Sequence, residues 1–140
     1  MDTTIDRAPA SSRREFSKTK LWIGRVLTGL PALFLLWDGA MKFSTLPQIV
    51  EASERIGFHR STLPLLGAVE LLSFVFLSIR RTAPLGAVLV SAYLGGAVAT
   101  HVRLGDPLFS HTLFPIYFAV AIWGGLCLRD ERVRALSPFA

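Results

Sequence analysis

The stretch LWIGRVLTGLPALFLLWDGAMKF, residues 21–43, decides how the chain is read. A bilayer core of about 30 Å takes roughly 20 helical residues, and this run supplies them. Near its end stand Asp38 and Lys42, four residues apart and so on one helical face, where they can pair. Stepping back by helical turns, that face also carries Gly24, Thr28, Pro31 and Phe34 or Leu35. Charge at membrane depth is costly, so this face should turn toward protein or a wet cavity. Arg25 lies off it and is expected to snorkel toward headgroups. The run is longer than a signal peptide's apolar region, and Asp38-Gly39-Ala40-Met41-Lys42 is a poor small-residue cleavage site, so it reads as a retained span.

Working outward, the rest of the chain repeats the theme. Half of the 140 residues are hydrophobic (51%) and mean hydropathy is positive, which points to a single integral membrane domain. Further apolar runs cover residues 62–79, 83–101 and 112–128, giving four spans within a membrane domain at 21–129. Residues 1–20 are polar, charged and rich in Ser and Thr, and read as a flexible basic cytoplasmic tail. Residues 130–140 read as a short cytoplasmic tail. The fold class expected is all-α, a four-helix transmembrane bundle.

Between the first two spans, Leu46, Ile49, Val50, Ser53 and Ile56 follow helical spacing, with Glu51, Glu54 and Arg55 off the stripe. That pattern predicts a short amphipathic helix on the outer surface, ended by Gly57. It caps the bundle mouth or gates it. In the third span Ala87, Ser91, Gly95 and Ala99 form one ladder of small residues, with Ala92, Gly96 and Thr100 beside it. Such ladders let helices approach closely in lipid, so these are read as packing positions.

The net charge of +5 and the basic pI near 10.1 raise nucleic acid as a partner, but the placement of the charges argues against it. Basic residues crowd before the first span, at Arg80-Arg81, and at Arg129, Arg132 and Arg134 after the fourth. The other two connections hold only Arg55, Arg60 and Arg103. This asymmetry is a topology signal and places both termini in the cytoplasm. The basic clusters are positioned to meet anionic headgroups. The lone Cys127 allows no intramolecular disulfide or Cys-x-x-Cys centre. No Walker, Rossmann or zinc motif occurs, so no metal ligands are assigned.

The remaining chemistry lies in ionisable residues. Glu70 sits near the middle of the second span on a face with Leu63, Leu66, Gly67, Ser73, Phe74 and Leu77. At about 1.5 Å rise per residue it falls near the midplane, with Asp38 in the outer half and Lys42, His101 and Arg103 at the outer edge. Three helices thus bring ionisable groups to one region. Glu70, Asp38 and His101 are the candidate catalytic, proton-handling groups, and Lys42 and Arg103 the candidate substrate-binding cations. The alternative is that the network only holds helices together, although polar contacts between membrane helices contribute only about 1 kcal/mol each.

The order of local motifs resembles the DoxX-like membrane proteins. These are G-x-x-K-F with Gly39 and Lys42, L-G-A-V-E-L-L at 66–72, T-A-P-L-G-A at 82–87, A-T-H-V-R at 99–103 and L-R-D at 128–130. The resemblance implies a four-helix protein of the bacterial inner membrane. It also implies kinship with subunits of redox systems that pass electrons to quinone, notably in thiosulfate oxidation. Quinone as cofactor, and a membrane redox protein or a second copy as partner, are expectations of that resemblance. It assigns no catalytic residues. Two other function classes stay open: a non-redox membrane enzyme or carrier for a small lipophilic molecule, and a scaffold that recruits partner helices.

Overall fold

The computed structural model describes residues 10–135, with side chains from residue 18 onward. Six helices follow one another with no strand among the described residues. They are α1 (Ala10–Met41), α2 (Pro47–Arg55), α3 (Leu63–Ser78), α4 (Ala83–Leu104), α5 (Phe114–Arg129) and α6 (Glu131–Ala135). A 3-10 turn, Arg60–Thr62, leads into α3, and a π turn, Leu108–Thr112, leads into α5. Four helical segments are long and apolar enough to cross a membrane: Lys18–Met41, Arg60–Ser78, Ala83–Leu104 and Leu108–Arg129. The molecule is therefore a multi-pass membrane protein with an all-α bundle. Its surface fits that medium, since Leu30, Leu65 and Val120 are each about two-thirds exposed, which water would penalise and lipid does not.

The spans pack as a four-sided bundle in which α1 touches α5 and α3, and α4 touches α3 and α5, leaving α1 diagonal to α4. The first and second spans bury the faces their sequence spacing marks. Gly24, Thr28, Pro31 and Leu35 of α1 are all buried, as are Leu63, Gly67, Glu70, Ser73 and Leu77 of α3. The core between them is Leu35, Leu77, Ala87, Val90, Ile122 and Leu126.

Three expectations change. The first helix starts at Ala10, so residues 10–20, expected as part of a flexible tail, are helical, while residues 1–9 lie outside the described ones. After Pro9 no Pro or Gly occurs until Gly24, and extending a helix already fixed by its membrane span needs no new nucleus. The 130–140 tail likewise opens with α6, because buried Asp130 accepts the Arg132 backbone N–H at 3.0 Å and Val133 folds into the core; residues 136–140 lie outside the described ones. Finally, the small-residue ladder of α4 is only half engaged. Ala87 is fully buried, and Ser91 accepts the Trp123 indole N–H at 2.9 Å, tying α4 to α5. Gly95 has open space where a Cβ would stand, and Ala99 is exposed. Ala92, Gly96 and Thr100 line a cavity, so their small size there makes room and not contact.

α2 forms where the amphipathic stripe predicts it, started by Pro47 and ended just before Gly57, whose φ of +91° suits glycine. Ile49, Ser53 and Ile56 face the bundle mouth, and Glu51, Glu54 and Arg55 face away.

Candidate functional site

At the bundle end that carries Lys42, the spans and α2 enclose a cavity of about 590 Å³. Its wall is mostly apolar and carries one charged cluster. Gly67 of α3 lies against α1 so closely that a Cβ there would be 2.7 Å from the Gly39 carbonyl oxygen and 3.0 Å from Lys42 Cβ. That approach sets Glu70, one turn further along α3, within reach of the Lys42 ammonium. Lys42 Nζ donates to Glu70 Oε2 at 2.8 Å and to Asp38 on its own helix. A lysine at a span's end ordinarily extends toward water. This one turns inward and is 14% exposed.

The three groups differ in access. Glu70 is 1% exposed, whereas the Asp38 side chain remains 37% exposed. Glu70 Oε1 is buried and has no hydrogen-bond partner. Both oxygens of a buried carboxyl group need partners, and one left unmet costs about 1–3 kcal/mol. The oxygen belongs to a residue in the cavity wall, where the Tyr93 hydroxyl, which acts on this carboxyl group, or a bound molecule can satisfy it.

The same cavity has an aromatic wall of Phe34, Phe114 and Phe118, with ring centroids 4.7–6.0 Å apart and Phe34 one helical turn from Asp38. Tyr93 of α4 also lines the cavity, its ring centroid 5.8 Å from Lys42 Nζ. Sequence reading missed Tyr93. A tyrosine in the middle of an apolar span, away from the interfaces where tyrosine is common, was the available signal. Phe114 and Phe118 stand four apart on α5, a spacing that marked a shared face but not its role.

The structure brings together Asp38, Lys42 and Glu70; of the other two candidates, one shares their cavity but has its own ion-pair partner, and the other lies outside it. His101 is in the cavity wall, but its Nδ1 pairs with Asp106 Oδ2 at 2.7 Å and its ring meets His111 edge-on. Arg103 does not line the cavity; it is exposed and donates to the Ile56 carbonyl at 2.9 Å, next to Gly57. The reason is register: two residues past His101 on a helix is about 200° around, so both cannot face the bundle. Arg103 therefore fastens the end of α2 over the cavity mouth and does not join the ionic cluster.

Chemically, the cavity offers a flat apolar slot, a hydrogen-bonding carboxyl group and a cation already held between two carboxyl groups. It suits a lipophilic molecule with a carbonyl or hydroxyl at one end. Among known proteins, the model of the DoxX-like family matches residues 26–125, a range that holds Asp38, Lys42, Glu70 and the aromatic wall. No curated protein and no solved structure matches the chain.

Proposed function

Because the chain belongs to the DoxX-like family, we propose that it is a membrane subunit of a redox system whose cavity binds a quinone or a similar flat lipophilic molecule. The observation that carries this reading is the unpartnered Glu70 Oε1 in the wall of an aromatic cavity. As a neutral acid, Glu70 donates a hydrogen bond to a quinone carbonyl; as a carboxylate, it accepts one from a quinol hydroxyl. Phe34, Phe114 and Phe118 flank the ring. Reduction of one quinone to quinol takes two electrons and two protons. The electrons come from a partner redox protein, and the protons pass by way of Glu70 and Asp38, with Lys42 balancing their charge. His101, paired with Asp106, stands in the wall as a further proton-exchanging group.

The cavity faces the outer side of the bacterial inner membrane, with both termini cytoplasmic, in keeping with the arginine-rich opposite end. Alkaline phosphatase is then active when fused after Arg103 and inactive after Arg80, and the reverse pattern contradicts this orientation. The binding reading is tested by titrating a short-tailed benzoquinone into the protein in nanodiscs and following tryptophan quenching. Glu70→Gln keeps the shape and removes the acid, so it weakens binding by about ten-fold or more, the value of one hydrogen bond to a charged or buried group. Unchanged binding in Glu70→Gln and in Phe118→Ala overturns it.

The scaffold reading has one observation in its favour, the open surface at Gly95 and Ala99, which is shaped to admit a partner helix.

A further inference from the structure

At the opposite end of the bundle lies a second cleft, of about 300 Å³, between α1 and α3 and reaching α5. Arg25 and Arg129 stand in its wall, and the rest is Thr28, Gly29 and the apolar side chains of Ala32, Leu33, Phe74 and Leu77, with Ser78 at the rim. Leu33 is largely exposed, so the cleft opens on the lipid-facing side of the bundle.

The charges here are not matched. Neither Arg25 nor Arg129 is in an ion pair among the described residues. Arg129 Nε is buried and has no hydrogen-bond partner. Arg25 and Arg80 both act on Arg129 as like charges, and the acid that acts on it, Asp130, is itself engaged by Arg132 through its backbone N–H and its side chain. A buried donor without an acceptor, among cations that repel one another, marks a place for an anion. Guanidinium groups present N–H donors in a fixed fork that matches phosphate oxygens.

We propose that this cleft binds an anionic phospholipid, its phosphate between Arg25 and Arg129 and one acyl chain along Leu33 and Phe74. The apolar length of the cleft favours a lipid over free phosphate, because a phosphate alone leaves that wall unfilled. Arg80, in the turn after α3, adds to the local positive field. This site is separate from the Lys42 cavity: none of its lining residues is shared.

The test uses the full chain in detergent, supplied with phosphatidylglycerol, phosphatidylcholine or inorganic phosphate. Native mass spectrometry counts retained lipids, and thermal unfolding reports stabilisation. Two basic groups at an anionic site predict a preference for phosphatidylglycerol over phosphatidylcholine of about ten-fold or more. Arg25→Gln/Arg129→Gln removes most of that preference, while Arg60→Gln, at the other end of the bundle, keeps it. The unaltered protein carries the test by itself if the double variant does not fold. Equal retention and stabilisation by the two lipids overturns the proposal. So does equal phosphatidylglycerol retention by the double variant, or the same stabilisation from inorganic phosphate alone.

Discussion

The two ends of the bundle handle charge in opposite ways. At the Lys42 end a cation is held between two carboxyl groups inside a largely apolar chamber, and among the described residues the unmet group there is a carboxyl oxygen. At the Arg129 end arginines outnumber their acids, and the unmet group is a guanidinium N–H. The first arrangement has little use for an ion and suits a neutral molecule with a hydrogen-bonding group. The second suits an anion. The difference shows that burial of charge in a membrane bundle is not one phenomenon: what matters is which atom is left without a partner, and into what space it looks.

The contrast is broken most severely through Lys42. Lys42→Met leaves Asp38 and Glu70 without their shared cation, and breaking a buried ion pair from one side costs about 3–5 kcal/mol. Arg129→Gln removes a cation that has no ion partner among the described residues and, in nanodiscs of phosphatidylcholine alone, changes stability by no more than about 1 kcal/mol. Thermal unfolding in nanodiscs distinguishes them, and equal losses contradict the assignment of the two ends.

A smaller effect is expected from the helix contact that builds the cavity. Gly67→Ala sets a Cβ at 2.7 Å from the Gly39 carbonyl oxygen, and forced repacking of this kind costs about 1–3 kcal/mol. Gly95→Leu, which spacing alone marks as disruptive, meets open space and melts like the parent. If Gly95→Leu unfolds the bundle and Gly67→Ala does not, the packing described for α3 and α4 is wrong.

The mildest change concerns the cover. Arg103→Ala removes the hydrogen bond to the Ile56 carbonyl, a contact of about 1 kcal/mol, and shortens the residence time of a bound molecule roughly five-fold. Stopped-flow dissociation of the benzoquinone measures it. An unchanged rate shows that α2 does not restrain release.

Much of this was legible in the sequence. Apolar run length sets the spans, and helical spacing identifies the buried faces of α1 and α3, including Glu70, though it left Phe34 or Leu35 open and the structure buries Leu35. The Asp38–Lys42 pair follows from a separation of four residues, and its meeting with Glu70 from the cost of leaving any of them in lipid. What the sequence hid depends on relative rotation and depth between helices. Arg103 looks like a site residue by depth, yet its angle around α4 points it at α2. Tyr93 looks like one more apolar residue until α4 is set beside Lys42. Gly95 and Gly96 look alike, and a Cβ at either meets open space, although only Gly96 lines the cavity. The Arg129 cleft was foreshadowed only as clustered basic charge, because its shape exists only when α1, α3 and α5 are packed.

The most direct measurement is native mass spectrometry of the protein released from its own membranes, parent beside Glu70→Gln, with thermal unfolding recorded on the same samples. If the Lys42 cavity is a ligand site keyed on Glu70, the parent carries one small lipophilic molecule with a carbonyl or hydroxyl group. The variant then loses it while unfolding within a few degrees of the parent. A variant that keeps the same molecule at the same occupancy, or a parent that carries none even after quinone is added back, contradicts it.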